Sequence, residues 1–400
     1  MKRALRLSVV FFVAALVGCA RDALPPAPAA PPDRGADVIE LGESWPAETT
    51  LDHADVRDAS AIWPEMIDRA RRTLDVEQFY ASGETGAPAK LEPSIAAVER
   101  AARRGVVVRF IVDEKLAKTY PETSARLARA GVEVRAITRF APKGGVQHAK
   151  FFVVDHEEAW LGSQNFDWRS LEHIQELGVR TNVPAVAGGL EAIFERDWSG
   201  APARAESREA QAIFASPAAA ERAPVRVTFV ASPRGDLPDE GAWDLPRIVR
   251  ALDGAQKSVR VQVLTYGTKE RDGSPFHELD DALRRAAARG VTVRLLVSSW
   301  MKGKEAPLVE LAASSPNVEV RVLTIPRASS GEIPFARVVH AKYMVADDRV
   351  AWVGTSNWEG DYFTRSRNVG VVVEGQSFAS RVARFFDDGW SSVYAARLAR

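Results

Sequence analysis

His148 and Lys150 stand two residues apart, Asp155 follows the lysine by five, and Gly162-Ser163-Gln164-Asn165 completes the group. The pattern returns 192 residues later as His340, Lys342, Asp347 and Gly354-Thr355-Ser356-Asn357. These side chains suit phosphoryl transfer. A tetrahedral phosphodiester needs donors for its oxygens, a nucleophile in line and an acid opposite it for the leaving group. Two lysines and two asparagines supply the donors; two imidazoles supply the nucleophile and the acid. A single His-x-Lys would be weak evidence. Two of only six histidines, each in register with Lys, Asp and Asn, predict one symmetric site built from two halves. His53, His156, His173 and His277 have no symmetric counterpart and read as surface or packing residues. No pair of them has metal-ligand spacing, so no metal and no other cofactor is expected.

The elements that must carry these residues are legible around them. His148 and Lys150 on one strand point to one face. Phe151 to Val154 anchor that strand, Asp155 to Glu158 turn the chain, and Ala159 to Leu161 return it as a hairpin. Gly162 and Ser163 are expected to bend the backbone so that Asn165 comes back beside His148 and Lys150. Tyr343 to Ala346, Asp347-Asp348-Arg349 and Ala351 to Val353 repeat the hairpin. Upstream, Leu74 to Tyr80 and Val259 to Tyr266 read as strands. An amphipathic helix follows each, at about Pro93 to Arg104 and His277 to Arg289, stopped by Gly105 or Gly290. Strands Val106 to Val112 and Val291 to Val297 come next. Strand, helix, strand predicts right-handed crossovers in an α/β fold.

The repeat extends to Glu176-Leu177-Gly178-Val179 opposite Asn368-Val369-Gly370-Val371, and to Phe194 and Trp198 opposite Phe386 and Trp390. Gly105 and Gly290 are only 185 apart, so the segment between helix and motif is 7 residues longer in the second half. Four hundred residues fit two domains, and 46% hydrophobic with 26% charged residues reads as globular. Lys plus Arg equals Asp plus Glu at 53 each, so no global charge steers the chain to a polyanion. The N-terminus reads as an export signal: Lys2, Arg3 and Arg6 precede an apolar run from Leu7 to Val17. It ends in Leu16-Val17-Gly18-Cys19, similar to a bacterial lipoprotein signal in which Cys19 is lipidated. As the sole cysteine it leaves no internal disulfide. The expected organisation is a signal at 1–18, a Pro/Ala-rich tether at 19–44, a lobe at 45–205, a linker at 206–225 and a second lobe at 226–400. Parts of that linker could be helical.

The duplicated motif resembles the signature of the phospholipase D superfamily. Gly162 to Leu171 with Glu176-Leu177-Gly178, and Gly354 to Phe363 in the second half, are similar to the branch of mammalian lysosomal members and poxvirus envelope relatives. The resemblance spans about Trp45 to the C-terminus, with Thr355 in place of serine. It implies two pseudo-twofold-related lobes, each a mixed sheet flanked by helices, with one active site at their interface. One of His148 and His340 would form a phosphohistidine, His148 by superfamily precedent, and the other would act as acid and base. Lys150, Lys342, Asn165 and Asn357, with Ser163 and Thr355, would hold the phosphoryl oxygens. Asp155 and Asp347, part of the catalytic signature, would organise the site. Glu176 and Asn368 are placed to fix histidine tautomers. Trp168, Trp358, Tyr362 and Phe363 could stack bases, line a headgroup pocket or pack the core. The resemblance implies a metal-independent, monomeric phosphodiesterase held at the cell envelope through Cys19. Three readings stay open: action on phospholipid headgroups, which the anchor favours; an exported 5′-exonuclease on single-stranded nucleic acid; and a non-catalytic envelope protein.

Overall fold

The computed structural model describes residues 36–83, 89–201, 208–217 and 221–398; the expected signal, Cys19 and most of the tether lie outside them. Among the described residues no helix is long and apolar enough to cross a membrane. In the N-terminal lobe the strands lie in the order Glu133–Ile137, Val107–Asp113, Thr73–Glu77, Phe151–Val154, Glu158–Gly162, Glu176–Thr181 and Val38–Ser44. The first three pair in parallel and the rest antiparallel. The C-terminal lobe repeats this with Val318–Leu323, Thr292–Ser298, Ser258–Val263, Lys342–Ala346, Val350–Gly354, Asn368–Glu374 and Glu221–Ser232. The lobe pattern is thus the mixed α/β one that the repeat predicts.

Two boundaries differ from expectation. The end of the tether is a strand: Val38–Ser44 pairs along its length with Glu176–Thr181, placing Ser44 opposite Glu176 as Ser232 stands opposite Asn368. Ser44 and Ser232 donate equivalently, to the carbonyls of Ser170 and Tyr362 at 2.6 and 2.8 Å. The first repeat therefore begins at Val38. Among its described residues the expected linker is mostly strand. Glu209–Ser216 pairs antiparallel with Glu221–Ser232 and in parallel with Val38 and Ile39, so the two sheets run into one. Edge backbone on both lobes is satisfied in this way.

The layers follow from the apolar faces. On its outer face each sheet is covered by its own helices, Ala59–Asp68 with Glu92–Arg103, and Asp244–Gly254 with Glu278–Ala288. Asp58 caps the first of these by accepting from the Ser60 N–H at 2.8 Å. Gly105 and Gly290 adopt φ of 86° and 89° after Glu92–Arg103 and Glu278–Ala288, the left-handed exit that glycine supplies without strain. The helices Pro184–Ser199 and Gln376–Ser391 lie on the inner faces, and residues of both lobes share the central core there, Phe194 and Phe386 among them.

Two features of the motif have packing causes. Gly162 and Gly354 have no positive φ, so they do not serve as bends. A Cβ on Gly162 would lie 2.6 Å from the Gly178 Cα, and one on Gly178 would lie 2.3 Å from Cζ2 of the buried Trp160. The glycines make room for an indole laid across the strands. Asp155 and Asp347 sit in the hairpin turns, about 16 Å from the lysines along the strand at ~3.3 Å per residue. Asp155 (φ 53°) and His156 (φ 61°) form the left-handed pair of a tight hairpin turn, as do Asp347 and Asp348. The Asp155 carboxylate accepts from the backbone N–H groups of Arg71, Arg72 and Thr73 at 2.7–3.2 Å. Asp347 accepts likewise from Gln256, Lys257 and Ser258. Burial alone would raise the Asp347 carboxyl, but those three N–H groups more than reverse it and leave it below its usual value. Neither aspartate belongs to the catalytic group, a correction to the sequence expectation: each ties its hairpin to the start of the neighbouring strand.

Asp155→Ala and Asp347→Ala should each cost ~1–3 kcal/mol in urea unfolding while the folded fraction keeps its turnover rate. A lowered folded-state pKa stabilises above the unfolded value, so the Asp347 contribution is lost as pH falls through the acid range, and Asp347→Ala should flatten stability there. Gly178→Ala should cost ~1–3 kcal/mol by overpacking against Trp160, read in the same unfolding assay.

Candidate active site

The two His-x-Lys segments approach each other because each pairs with the other lobe's strand entry. His148 and its lysine precede the strand Phe151–Val154, while Lys342 begins its own. Gln147 bridges Arg367 in parallel and Gln175 bridges Val339, positions related by the same 192-residue repeat. The backbone N–H of His148 donates to the Arg367 carbonyl at 3.0 Å, and that of His340 to the Gln175 carbonyl at 2.9 Å. Each histidine is thereby set beside the residue that opens the opposite lobe's strand.

The side chains cross in the same way. His148 Nδ1 lies 2.9 Å from Oδ1 of Asn368, and His340 Nδ1 lies 2.9 and 2.8 Å from the two oxygens of Glu176. The Asn368 amide is oriented by its own contacts. Its Nδ2 donates to the Tyr362 and Ser366 carbonyls at 2.7 and 3.3 Å, and Thr355 Oγ1 donates to its Oδ1 at 2.9 Å. Only an acceptor therefore faces His148, so the proton sits on Nδ1 and the lone pair on Nε2. Glu176, with Ser170 Oγ donating to it at 3.1 Å, fixes the same tautomer in His340 when it is ionised.

Both rings are nearly enclosed, at 5% and 8% exposure. Phe79 and Tyr362 stand edge-on to His148 with ring centres 5.1 and 4.9 Å away. Burial and the charges of Lys150 and Lys342 push both imidazoles well below their ordinary value, and His340 adds to that at His148. The Asn368 hydrogen bond opposes the effect at His148, and a backbone hydrogen bond with Ser163 opposes it at His340. The two rings differ in their Nδ1 partner, a neutral amide for His148 and a carboxyl group for His340. Burial also drives Glu176 up to about 8 and Lys342 down to about 7. Lys342 Nζ is buried without a hydrogen-bond partner, a donor short of an anion, and the buried Oδ1 atoms of Asn165 and Asn357 lack a donor. Lys150 Nζ reaches only the His148 carbonyl. A bound phosphodiester would supply the missing negative charge and acceptors.

Of the other expected residues, Ser163 and Thr355 are not free to bind phosphate. Ser163 Oγ donates to the Leu177 carbonyl and accepts from the Leu177 N–H, and Thr355 Oγ1 accepts from the Val369 N–H at 3.1 Å while donating to Asn368. They brace the strands that present Glu176 and Asn368. Trp358 and Phe363 are fully buried in the C-terminal core, Trp168 packs edge-on to His173, and Tyr362 is the one of the four that packs against His148. Phe79 went unrecognised, although it lies in the strand-end segment that runs to Tyr80. Also missed was the buried Arg367, which donates to both oxygens of Asp197 at 2.6 and 2.9 Å and to the Ser232 and Asp236 carbonyls. Its repeat equivalent is Gln175, which gives no hint of an ion pair at that position.

The family model described as "Cardiolipin synthase, PLD-like domain" matches residues 64–198 and 248–390. A protein of Dictyostelium discoideum named phospholipase D Z is 32% identical over 89% of this chain and 90% of its own length. The 5′-3′ exonuclease PLD3 of Xenopus laevis is 32% identical over 83% of this chain and 75% of its own. The crystal structure of phosphatidylserine synthase from Haemophilus influenzae superposes with a TM-score of 0.60 over 85% of both chains, at 12% identity, which speaks to the fold alone. With the family model matched in both halves and relatives aligned over most of the chain, the protein belongs to the phospholipase D-like family.

Proposed function

We propose that the chain is a metal-independent phosphodiesterase of the phospholipase D type, with His148 as nucleophile and His340 as acid and then base. The observation that carries this is the crossed pair of Nδ1 clamps, an amide on one ring and a carboxylate on the other. His148 Nε2 directs its lone pair at phosphorus. The ester P–O bond breaks, and the leaving oxygen takes the proton from His340 Nε2. Water then gives a proton to His340 Nε2 as its oxygen attacks phosphorus; the P–N bond breaks and its electrons return to His148. Lys150, Lys342 and the amide nitrogens of Asn165 and Asn357 are the donors for the phosphoryl oxygens in this reading.

A phospholipid headgroup is the favoured substrate. The lipoprotein-like Leu16-Val17-Gly18-Cys19 supports a lipid-anchored, exported enzyme that sits beside its substrate, and the internal repeat supports a monomer. A second reading is 5′-exonuclease action on single strands. It is supported by relatives named 5′-3′ exonucleases and by Phe79 and Tyr362 against His148, which could stack a base. Vesicles of phosphatidylcholine or phosphatidylglycerol and a 5′-hydroxyl oligonucleotide separate the two. Headgroup release alone excludes the nuclease, nucleotide release alone excludes the lipase, and inertness on both leaves a non-catalytic envelope protein.

His148→Ala and His340→Ala should each lower turnover by at least ~10³-fold, the scale of losing a nucleophile or its acid. The wild-type rate against pH should be bell-shaped, because one ring must be neutral and the other charged. Asn368→Asp places a carboxylate beside His148, favours its protonated form and should move the acid limb to higher pH. Glu176→Gln removes that stabilisation from His340 and should move the alkaline limb to lower pH. Unmoved limbs in both variants would contradict the assigned roles. A short assay in chelator should keep its rate; a strong immediate loss would refute metal-free chemistry.

A further inference from the structure

The two lobes differ sharply at one place away from the catalytic histidines, where hairpin turn, strand and inner helix meet. Strand registers make Asp75 the equivalent of Arg260, and the repeat makes His156, Glu191 and Glu195 the equivalents of Asp348, Ala383 and Asp387. In the C-terminal lobe a cation ties the three elements together. Arg260 donates to Asp348 on the turn at 2.8 Å and to both oxygens of Asp387 on the helix at 2.9 and 3.0 Å. Two arginines, Arg260 and Arg294, face two aspartates there.

In the N-terminal lobe that cation is replaced by a carboxylate. Arg109 engages Asp75 and Glu195, both at 2.6 Å, and Glu191 stands 3.7 Å from it. Three carboxyl groups thus face one arginine. Potential ligand atoms of Asp75, His156 and Glu191 all lie within 4.8 Å of one another. Asp75 is 0% exposed and its Oδ2 has no hydrogen-bond partner; neither does either buried oxygen of Glu191. His156 Nδ1 lies 3.1 Å from Glu191 Oε1, close but not aligned as a hydrogen bond. His156 holds that position from a left-handed φ of 61°.

We propose that Asp75, His156 and Glu191 bind one divalent cation of the zinc class, which does in the N-terminal lobe what the Arg260 guanidinium does in the C-terminal one. One imidazole with two carboxylates is a donor set for zinc or its first-row neighbours, and a cation there would give the unpartnered carboxylate oxygens a partner. The ion pins the hairpin turn to the helix Pro184–Ser199. It is structural and takes no part in the phosphoryl chemistry, so it stands or falls separately from the proposed function.

The test is zinc titration of the purified, chelator-stripped protein, read by metal content after gel filtration and by melting temperature. The wild type should retain one zinc per chain and melt several degrees higher with saturating zinc, as for any ligand bound only to the folded state. His156→Ala, at an exposed position, and Glu191→Gln should weaken binding at least ~10-fold and lose the melting shift. Asp348→Ala, its counterpart in the other lobe, and His148→Ala should retain both. Absence of stoichiometric zinc in the wild type, retention in both His156→Ala and Glu191→Gln, or loss in His148→Ala would each overturn the proposal.

Discussion

The structure depends on a swap: each histidine is held by the opposite lobe. His148 takes its Nδ1 partner from Asn368, and His340 takes its own from Glu176. Neither half is complete alone. The two parallel bridges beneath, Gln147 with Arg367 and Gln175 with Val339, carry the same exchange in the backbone. The shared core around Phe194 and Phe386 holds the lobes at the separation this crossing requires. Symmetry in the backbone brings the rings together, and asymmetry in two side chains gives them different partners.

That asymmetry is confined to a few positions. The amide at 368 and the carboxylate at 176 occupy the same place in the repeat, as do Arg367 and Gln175. Beneath His148 lies a buried ionic group of Arg367, Asp197 and Glu77; beneath His340 lie the neutral Gln175, Gln262 and Tyr343. Burial and the neighbouring Asp197 charge raise the Glu77 carboxyl well above its ordinary value. An ion pair of this kind stabilises little in net terms but is costly to break, which suits it to holding a strand entry in one position.

Much of this was legible along the chain. Motif, spacing and hairpins depend on residues close in sequence, and the 192-residue repeat made two copies of each visible. What was not legible depends on contacts between distant segments. Glu176 and Asn368 read as histidine partners, but nothing in one chain shows that each serves the other lobe. Val38–Ser44 shares only its final serine with Glu221–Ser232, at an offset of 188, so it read as tether. The Ala- and Glu-rich segment around Glu209–Ser216 has weak strand propensity and is strand because Glu221–Ser232 pairs with it. Asp155 and Asp347 follow the lysines so regularly that spacing alone counts them as catalytic. Their regularity belongs to the turn, where an aspartate accepts a left-handed φ and gathers three backbone donors.

The central claim is that two imidazoles from opposite lobes grip one phosphorus atom, with His148 Nε2 bonded to it. A crystal structure of the full-length protein with orthovanadate tests this most directly. Vanadium should be bonded to His148 Nε2, with His340 Nε2 opposite at hydrogen-bonding distance to the apical oxygen and both lysines on the equatorial ones. Vanadate bound without either histidine, or rings turned away from a common centre, would contradict it.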